Sequence, residues 1–111
     1  MVKRKYKPTL SRQAERMLSE HIEFLIRVSP PAARRLFADF KKVITKIADN
    51  PHRFQFADGL DAPGITPGEY RKCLFHKRYK ALFYIEGEGI CIDAVIDCRQ
   101  KNDNIFGRTD Q

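Results

Sequence analysis

The sequence contains no apolar run approaching the ~20 residues of a membrane span. Its basic start, residues 1–7, is not followed by the apolar stretch that a signal peptide requires. The three cysteines are odd in number and lack the close paired spacing of a zinc site, and no two of the three histidines stand at a metal-ligand spacing. A Gly-rich phosphate loop and a Ser-His-Asp arrangement are also missing. We therefore expect a cytoplasmic protein without a membrane segment, a metal or a cofactor.

Length and charge narrow the class of protein further. A chain of 111 residues, 42% of them hydrophobic, is long enough for one core and too short for two ordinary domains, so residues 1–111 are expected to form a single domain. The net charge of +7 is not confined to one tail, because residues 1–8 contribute +4 and residues 69–86 contribute +3. This distribution is compatible with attraction to nucleic acid or to an acidic protein, and it specifies neither.

The first third of the chain predicts a strand and a helix. Residues 2–7 alternate between lysines and other side chains, a period of two that predicts a short first strand, ended by Pro8. Apolar side chains then recur at three- and four-residue steps as far as Val28, behind Thr9 or Ser11 as a possible N-cap. This pattern predicts an amphipathic helix.

A second helix follows directly. Ser29 can cap it, Pro30 suits its first position, and an apolar stripe that includes Phe37 continues to a break near residues 49–51. A connection this short predicts an antiparallel helical hairpin.

The rest of the chain predicts a loop and a sheet. Residues 51–68 contain three prolines and three glycines and have no sustained period, which indicates a loop. Three strands are predicted at 69–76, 79–86 and 89–99, joined by two-residue turns into an antiparallel meander. The expected class is α+β.

Two-residue turns also predict the register of the meander. They place Arg71 opposite Tyr84, and Tyr84 opposite Cys91. One face of the sheet is then nearly all apolar and is expected to pack on the helices. Its members are Tyr70, Leu74, Tyr79, Ala81, Phe83, Ile85, Ile90, Ile92, Ala94, Ile96 and Cys98. The other face would bring Arg71, Lys80 and Arg99 together.

Three cations from three strands indicate an anionic ligand. Guanidinium groups bind phosphate with paired donors, and a cation beside a scissile phosphate stabilises an in-line transfer, so Arg71, Lys80 and Arg99 are candidate catalytic residues. Tyr84 offers a ring on which a base could stack. The predicted target- or nucleic-acid-binding surface contains, besides Tyr84, the cations Lys72, Lys77 and Arg78.

Other interpretations of this face stay open. It could be a solvated surface on which Asp93 and Asp97 pair with the cations. His76 could act as a general acid or base, or be a half-exposed turn residue. Cys73 and Cys91 lie on the same predicted face, but no histidine is placed to activate them as nucleophiles.

Particular sequence segments carry a family resemblance. They are SPPAARRL at 29–36, Pro51, EYRK at 69–72, RYKALFYI at 78–85 and IDAVIDCRQ at 92–100. In this order, behind a strand and a helical hairpin, they resemble the RelE/ParE superfamily of bacterial type II toxins, which includes plasmid stabilisation proteins. The resemblance implies a toxin neutralised by an acidic antitoxin that is encoded beside it and wraps it. RelE-like members cleave messenger RNA in the ribosome, and ParE-like members block DNA gyrase.

The RelE pattern can be compared residue by residue. Arg71 falls where the first meander strand has a basic residue, Lys80 where an arginine supports the transition state, and Arg99 where an arginine follows the last strand.

The chain departs from the RelE pattern at two places. Cys73 replaces a second basic residue, and the tyrosine that assists the 2′-hydroxyl aligns near Ile105 or Phe106, neither of which has a hydroxyl. Tyr84 or His76 would have to substitute for it. A gyrase-directed, ParE-like toxin is therefore favoured over a ribosome-dependent mRNA endonuclease. A non-toxic binding module with the same fold and a plain RNA-binding protein are further alternatives.

Overall fold

The computed structural model describes residues 6–99 and Phe106. In chain order the elements are β1 (Lys7–Leu10), α1 (Arg12–Val28), α2 (Pro30–Asp49), a 3₁₀ turn (Pro51–Arg53), β2 (Arg71–Phe75), β3 (Tyr79–Glu86) and β4 (Gly89–Asp97). The predicted class, a strand, a helical hairpin and a three-stranded meander, is confirmed. The part of the predicted first strand at residues 2–5 lies outside the described residues.

The first strand begins later than predicted and runs through its proline. β1 is an edge strand, parallel to β4 in a sheet of order β1-β4-β3-β2. The N–H groups of Lys7 and Ser11 donate to the carbonyls of Glu88 and Ile92, so alternate residues bond to β4. Pro8 lies between them with its nitrogen on the open side of the edge, where no donor is needed. The prediction that Pro8 ends the strand is therefore wrong.

Serine caps define both helices, as predicted. The Ser11 hydroxyl accepts a hydrogen bond from the Ala14 N–H at 3.1 Å. Ser29 ends α1 by donating its N–H to the Leu25 carbonyl, and its hydroxyl accepts from the Ala32 N–H at the start of α2. One residue thus serves both helices, which produces the hairpin.

The β2–β3 register differs from the prediction by one residue. The turn contains three residues rather than two, and its first two, His76 and Lys77, have positive φ values of 52° and 65°. Arg71 consequently pairs with Phe83 instead of Tyr84. Because neighbouring side chains on a strand point to opposite faces, this slip inverts all of β2 relative to β3.

The predicted β3–β4 register is correct for the first half of β4 and wrong for the second half. The connecting turn has two residues, as predicted, and Gly87 adopts a φ of 60° in it. The predicted pairs hold as far as Phe83–Ile92, but a bulge then makes Leu82 pair with Ala94.

The two register changes decide which side chains share a face. Asp93 is the extra residue of the bulge, so the alternation of β4 changes phase there. The face toward the helices carries Arg71, Cys73, Phe75, Tyr79, Ala81, Phe83, Ile85, Ile90, Ile92, Val95 and Asp97. The outer face carries Lys72, Leu74, Lys80, Leu82, Tyr84, Cys91, Ala94 and Ile96. The predicted faces are correct for β3 and the first half of β4, and wrong for β2 and the second half of β4.

A loop segment covers the outer face of the sheet. We call residues 57–65 the strap. It buries a second apolar cluster that consists of Ala57, Ala62, Ile65, Tyr70, Leu82, Ala94 and Ile96. At its start, the Ala57 N–H donates to the Tyr70 carbonyl, and just before it the Gln55 carbonyl accepts from the Lys72 N–H, so this segment covers the edge of β2. The sheet therefore lies between the helices and the strap.

Part of the apolar surface of the hairpin is not used in the core. Ile26 and Phe37 belong to the predicted apolar stripes, yet they are 52% and 46% exposed. Of the helices in the described part of the chain, none combines the length and apolarity needed to cross a membrane.

Candidate target-binding surface

The three candidate catalytic cations do not converge. Arg71 lies on the helix face of β2, whereas Lys80 lies on the outer face of β3. Arg99 follows β4 and contacts Asp97. The predicted cationic face is wrong because it assumed a two-residue turn between β2 and β3 and an unbulged β4.

Arg71 is held at the edge of the sheet. One terminal nitrogen of its guanidinium donates to the carbonyls of His52 at 3.2 Å and Phe54 at 2.7 Å. The guanidinium carbon lies 4.1 Å from the centroid of the Phe56 ring, a cation–π contact. Arg71, Phe56 and Tyr84 line a groove of about 280 Å³, here called the Arg71 groove. A cation beside two aromatic rings can bind an anionic or a planar group.

Lys80 and Lys72 share one carboxylate of the strap. Lys80 Nζ lies 2.9 Å from Oδ1 of Asp61, and Lys72 Nζ lies 3.0 Å from its Oδ2. The Lys80 and Asp61 side chains are only 11% and 9% exposed. These two cations stabilise the strap against the sheet and present little positive charge to solvent.

The ionisation of Asp61 is controlled by these contacts. Burial by itself raises the pKa of the Asp61 carboxyl. Hydrogen bonds from Lys80, from the Asp58 N–H and from Lys72 lower the pKa by more than burial raises it, so it lies below its ordinary value. Asp61 is therefore ionised at neutral pH.

Arg99 pairs with the end of β4. Asp97 accepts hydrogen bonds from the backbone and guanidinium of Arg99 at 2.9 to 3.4 Å. Burial raises the pKa of Asp97, and the bonds from Arg99 outweigh this effect and hold it below its ordinary value. The pairing of Asp97 with a cation, one of the interpretations left open by the sequence, is thus present.

Tyr84 lies on the outer face beside a second tyrosine. Its ring centroid is 5.8 Å from that of Tyr70, whose hydroxyl donates to Asp93 at 2.7 Å. The side-chain hydrogen bond between Tyr84 and Cys91, together with the electrostatic interaction between the two groups, raises the pKa of Tyr84 to about 12. Phe106 stacks on Tyr70 with 4.8 Å between centroids. The Asp93 carboxylate, which the sequence suggested as a partner for the cations, thus accepts a hydrogen bond from the Tyr70 hydroxyl.

The β2–β3 turn presents free cations. Lys77 and Arg78 are exposed, and neither forms an ion pair with any residue in the described part of the chain. The turn is attached to α2, because Nδ1 of His76 lies 2.6 Å from Oδ2 of Asp39. Of the cations in the predicted surface, Lys77 and Arg78 are therefore the most exposed.

A metal site is not apparent in the described residues, which contain no group of three His, Cys, Asp or Glu side chains that could hold an ion. His21 instead bonds to the Val95 carbonyl at 2.8 Å through Nε2, and His52 lies 3.5 Å from the Tyr6 hydroxyl.

Known proteins resemble this chain in structure. No family model and no curated protein sequence matches it. A solved chain of the chromosomal ParDE toxin–antitoxin (TA) system from P. aeruginosa superposes with a TM-score of 0.67, over 86% of this chain and 98% of that chain. The chain has a ParE-like fold. The two sequences are 15% identical, so the likeness establishes the fold and leaves the residue roles as predictions.

Sequence reasoning missed two residues of the candidate target-binding surface and of the contacts beneath it. Asp61 and Phe56 stand in a segment without periodicity, where nothing indicated that one would neutralise two lysines and the other would stack on Arg71. The only available signal was the small apolar content of the strap, which is too sparse to predict that it packs on the sheet.

Proposed function

We propose that this chain is the toxin of a type II toxin–antitoxin module and arrests growth in the cytoplasm by binding DNA gyrase. The main support is the ParE-like fold, shared with a chain of a ParDE system over most of both chains. The order of sequence motifs that resembles the RelE/ParE superfamily points to the same class.

Binding is favoured over RNA cleavage by the separation of the candidate catalytic cations. Lys80 and Arg99 each form an ion pair with an aspartate, and Arg71 donates to two backbone carbonyls. Stabilising an in-line phosphoryl transfer requires cations directed together at one phosphate. Here each cation stabilises a different part of the fold.

Tyr84 and His76, the two side chains that could replace the acid–base tyrosine of the RelE pattern, are both poorly suited to that role. With a pKa near 12, Tyr84 keeps its proton at neutral pH and is a poor general base. His76 follows β2 at the end opposite Arg71, where its Nδ1 is bonded to Asp39, so it lies away from the Arg71 groove. Neither side chain is a good substitute for the tyrosine of the RelE pattern.

One observation favours a RelE-like mRNA endonuclease as the second candidate. The Arg71 groove combines a guanidinium with the rings of Phe56 and Tyr84. Single-stranded nucleic acid is commonly bound by such a cation and by stacking platforms. This groove could hold a nucleotide even though Lys80 and Arg99 lie elsewhere.

The proposed partner is an acidic antitoxin. The chain carries a net charge of +7, and an acidic protein would associate with it rapidly at low salt. In this proposal, an adjacent reading frame encodes a small acidic protein that binds the chain and relieves growth arrest.

One expression experiment tests the proposal and separates the candidates. The full chain is induced in a bacterial host, and growth, trapped cleaved DNA and the integrity of translated messages are measured in the same culture. A ParE-like toxin is expected to stop growth, accumulate gyrase-cleaved DNA and leave messages intact.

Other outcomes identify the alternatives. Message cleavage that is lost on Arg99→Ala would establish the RelE-like activity. Unimpeded growth with a folded, abundant chain would overturn the toxin proposal and leave the non-toxic binding module or the plain RNA-binding protein, which predicts an affinity for RNA that falls steeply with salt.

A further inference from the structure

A small polar pocket lies between α1 and one end of the sheet. It has a volume of about 160 Å³ and is lined by Glu20, His21, Phe24, Tyr79 and Asp97. Tyr79 begins β3 and pairs with Asp97, the last residue of β4, while the other three residues belong to about one turn of α1. We call it the α1–sheet pocket. It shares no residue with the predicted target-binding surface or with the Arg71 groove.

The Tyr79 hydroxyl is a polar group that the fold leaves without a partner. The residue is only 2% exposed, yet its hydroxyl forms no hydrogen bond with any of the described residues. Every fully buried polar side-chain atom in the described part of the chain has a partner, so this hydroxyl keeps contact with the pocket that Tyr79 lines. Burial and the charge of Asp97 raise the pKa of Tyr79, which keeps the hydroxyl protonated at neutral pH. Because buried tyrosine hydroxyls usually have a hydrogen-bond partner, this one indicates a place for a ligand.

The carboxylates leave the pocket with a negative charge. The Asp97 side chain is buried and ionised, and its charge is compensated by Arg99, whose Nη2 lies 3.3 Å from Oδ2. Glu20 forms no ion pair with any residue that the structure describes. Two carboxylates line the pocket and one guanidinium pairs with one of them, so one negative charge is left over. That charge fits a ligand with a single positive charge.

The remaining walls also suit a cation. Nε2 of His21 lies 2.8 Å from the Val95 carbonyl, and since a carbonyl can only accept, this nitrogen donates its hydrogen there. In the neutral imidazole the other nitrogen, Nδ1, is then an acceptor. Phe24 is 58% exposed, and the face of an aromatic ring attracts a cation. The pocket therefore offers acceptors and a ring face.

This combination selects one class of ligand. An anion would meet two carboxylates, and an apolar group would leave the Tyr79 hydroxyl unpaired. A metal ion lacks a site, because no three His, Cys, Asp or Glu side chains among the described residues could hold one. An alkylammonium carries one positive charge, three N–H donors for separate acceptors, and methylene groups that can lie against Phe24. At ~30 Å³ for a water molecule, the pocket has room for about five non-hydrogen atoms.

We propose that the α1–sheet pocket binds a primary alkylammonium group. The oxygens of Glu20, Tyr79 and Asp97 accept its N–H donors, and the Phe24 ring contacts its methylene groups. A lysine side chain of another protein and a free aliphatic amine both offer this chemistry. The site does not depend on the toxin proposal, because none of its residues is assigned to the target.

The test is an NMR titration of the full chain at neutral pH. Butylammonium chloride is the probe, since it reproduces the end of a lysine side chain, and butan-1-ol is the uncharged probe of the same length. Sodium chloride at matched concentrations is the control for ionic strength. We expect saturable chemical-shift changes around His21 and Phe24, with a millimolar dissociation constant for butylammonium. Butan-1-ol should bind at least about tenfold more weakly, and butylammonium binding should weaken as salt is raised.

Conservative variants locate the site. Tyr79→Phe removes only the hydroxyl and should weaken butylammonium binding by about fivefold, while the unfolding free energy is unchanged because no internal hydrogen bond is lost. Glu20→Gln should weaken binding by about fivefold or more, because it removes the uncompensated charge. Its matched control is Glu23→Gln, an exposed glutamate of the same helix that does not line the pocket.

The outcomes decide both the proposal and the source of the amine. Equal binding of butylammonium and butan-1-ol, no saturable shift with either, or equal effects of Glu20→Gln and Glu23→Gln would overturn it. A Tyr79→Phe variant that loses stability and binds normally would also count against it, since the hydroxyl would then be structural. A blocked lysine that binds at least as tightly as butylammonium identifies a protein side chain as the ligand, whereas binding of butylammonium alone identifies a free amine. Growth arrest is not measured, so the toxin proposal is unaffected by any of these results.

Discussion

Asp61 and Lys80 form a buried ion pair, with 2.9 Å between Oδ1 and Nζ, that joins the strap to the outer face of the sheet. Lys72 contacts the other oxygen of the same carboxylate. A residue from an aperiodic loop thus neutralises two cations that the sequence assigns to a target surface. Of the cations in the predicted target-binding surface, Lys77 and Arg78 in the β2–β3 turn are exposed, whereas Lys72 is paired with Asp61.

Removing the Asp61 charge should destabilise the fold. Asp61→Asn leaves Lys80 buried without a counter-charge, a change that typically costs about 3–5 kcal/mol of unfolding free energy. Urea unfolding measures it. Lys72→Met is the control and should cost clearly less, because the Lys72 side chain is 21% exposed and its loss leaves the Asp61–Lys80 pair intact. Equal costs for both variants would mean that the Asp61–Lys80 pair is not buried in solution.

Stability should fall in acid. The pKa values of Asp61 and Asp97 both lie below their ordinary value of 3.8 in the folded chain. Each carboxylate therefore contributes stability that is fully present above that value and is lost as pH falls through the lower, folded-state pKa. Urea unfolding between about pH 6 and pH 3 should show the loss near the acid end. The decline should be shallower in Asp61→Asn; an unchanged slope would contradict the low pKa of Asp61.

The turn cations should matter for growth arrest and little for stability. Replacing both Lys77 and Arg78 with serine removes exposed charges, so unfolding free energy should change by about 0.5 kcal/mol or less. Association with a negatively charged target should slow by about tenfold at low salt, and arrest should weaken at equal induction. The matched control replaces Arg35 and Lys42, exposed cations on α2, with serine. Equal effects of the two double variants would show that only net charge matters.

The ring of Tyr84 should matter more than its hydroxyl. Because a pKa of about 12 keeps the phenol protonated at neutral pH, Tyr84→Phe should preserve growth arrest. Tyr84→Ser removes the aromatic contact surface, and a contributing aromatic residue at an interface typically costs more than about 1 kcal/mol when truncated. The toxicity of both variants is measured as the inducer concentration that each requires to arrest growth. Loss of arrest in Tyr84→Phe would instead assign the hydroxyl a chemical role and favour RNA cleavage.

Local sequence signals predicted the helices and β3 because these elements are determined by interactions between residues close together in the chain. Ser11 and Ser29 cap helices that begin one residue later, and β3 runs between the predicted bounds at Tyr79 and Glu86. A serine followed by an apolar 3.6-residue period is sufficient for such elements. That residues 1–111 form a single domain stays a prediction, as do the target and the antitoxin.

The candidate site was predicted less well because it depends on pairing between distant residues. A three-residue turn at His76 and the bulge at Asp93 each shift the register by one residue, and neither is visible in the alternation of β2 or β4. Both strands carry apolar residues on two faces, since the helices cover one face and the strap covers the other. The pattern therefore could not show which face was solvated.

The sequence by itself determined the order of elements, the helix boundaries and the basic character of the chain, because capping, periodicity and charge act within a few residues. Only the tertiary structure decided where each cation lies: Lys80 opposite Asp61, Arg71 over Phe56, and Arg99 beside Asp97. These contacts join residues that strand register or loop packing brings together, so the charge of a residue is known from the sequence while its availability to a partner is not.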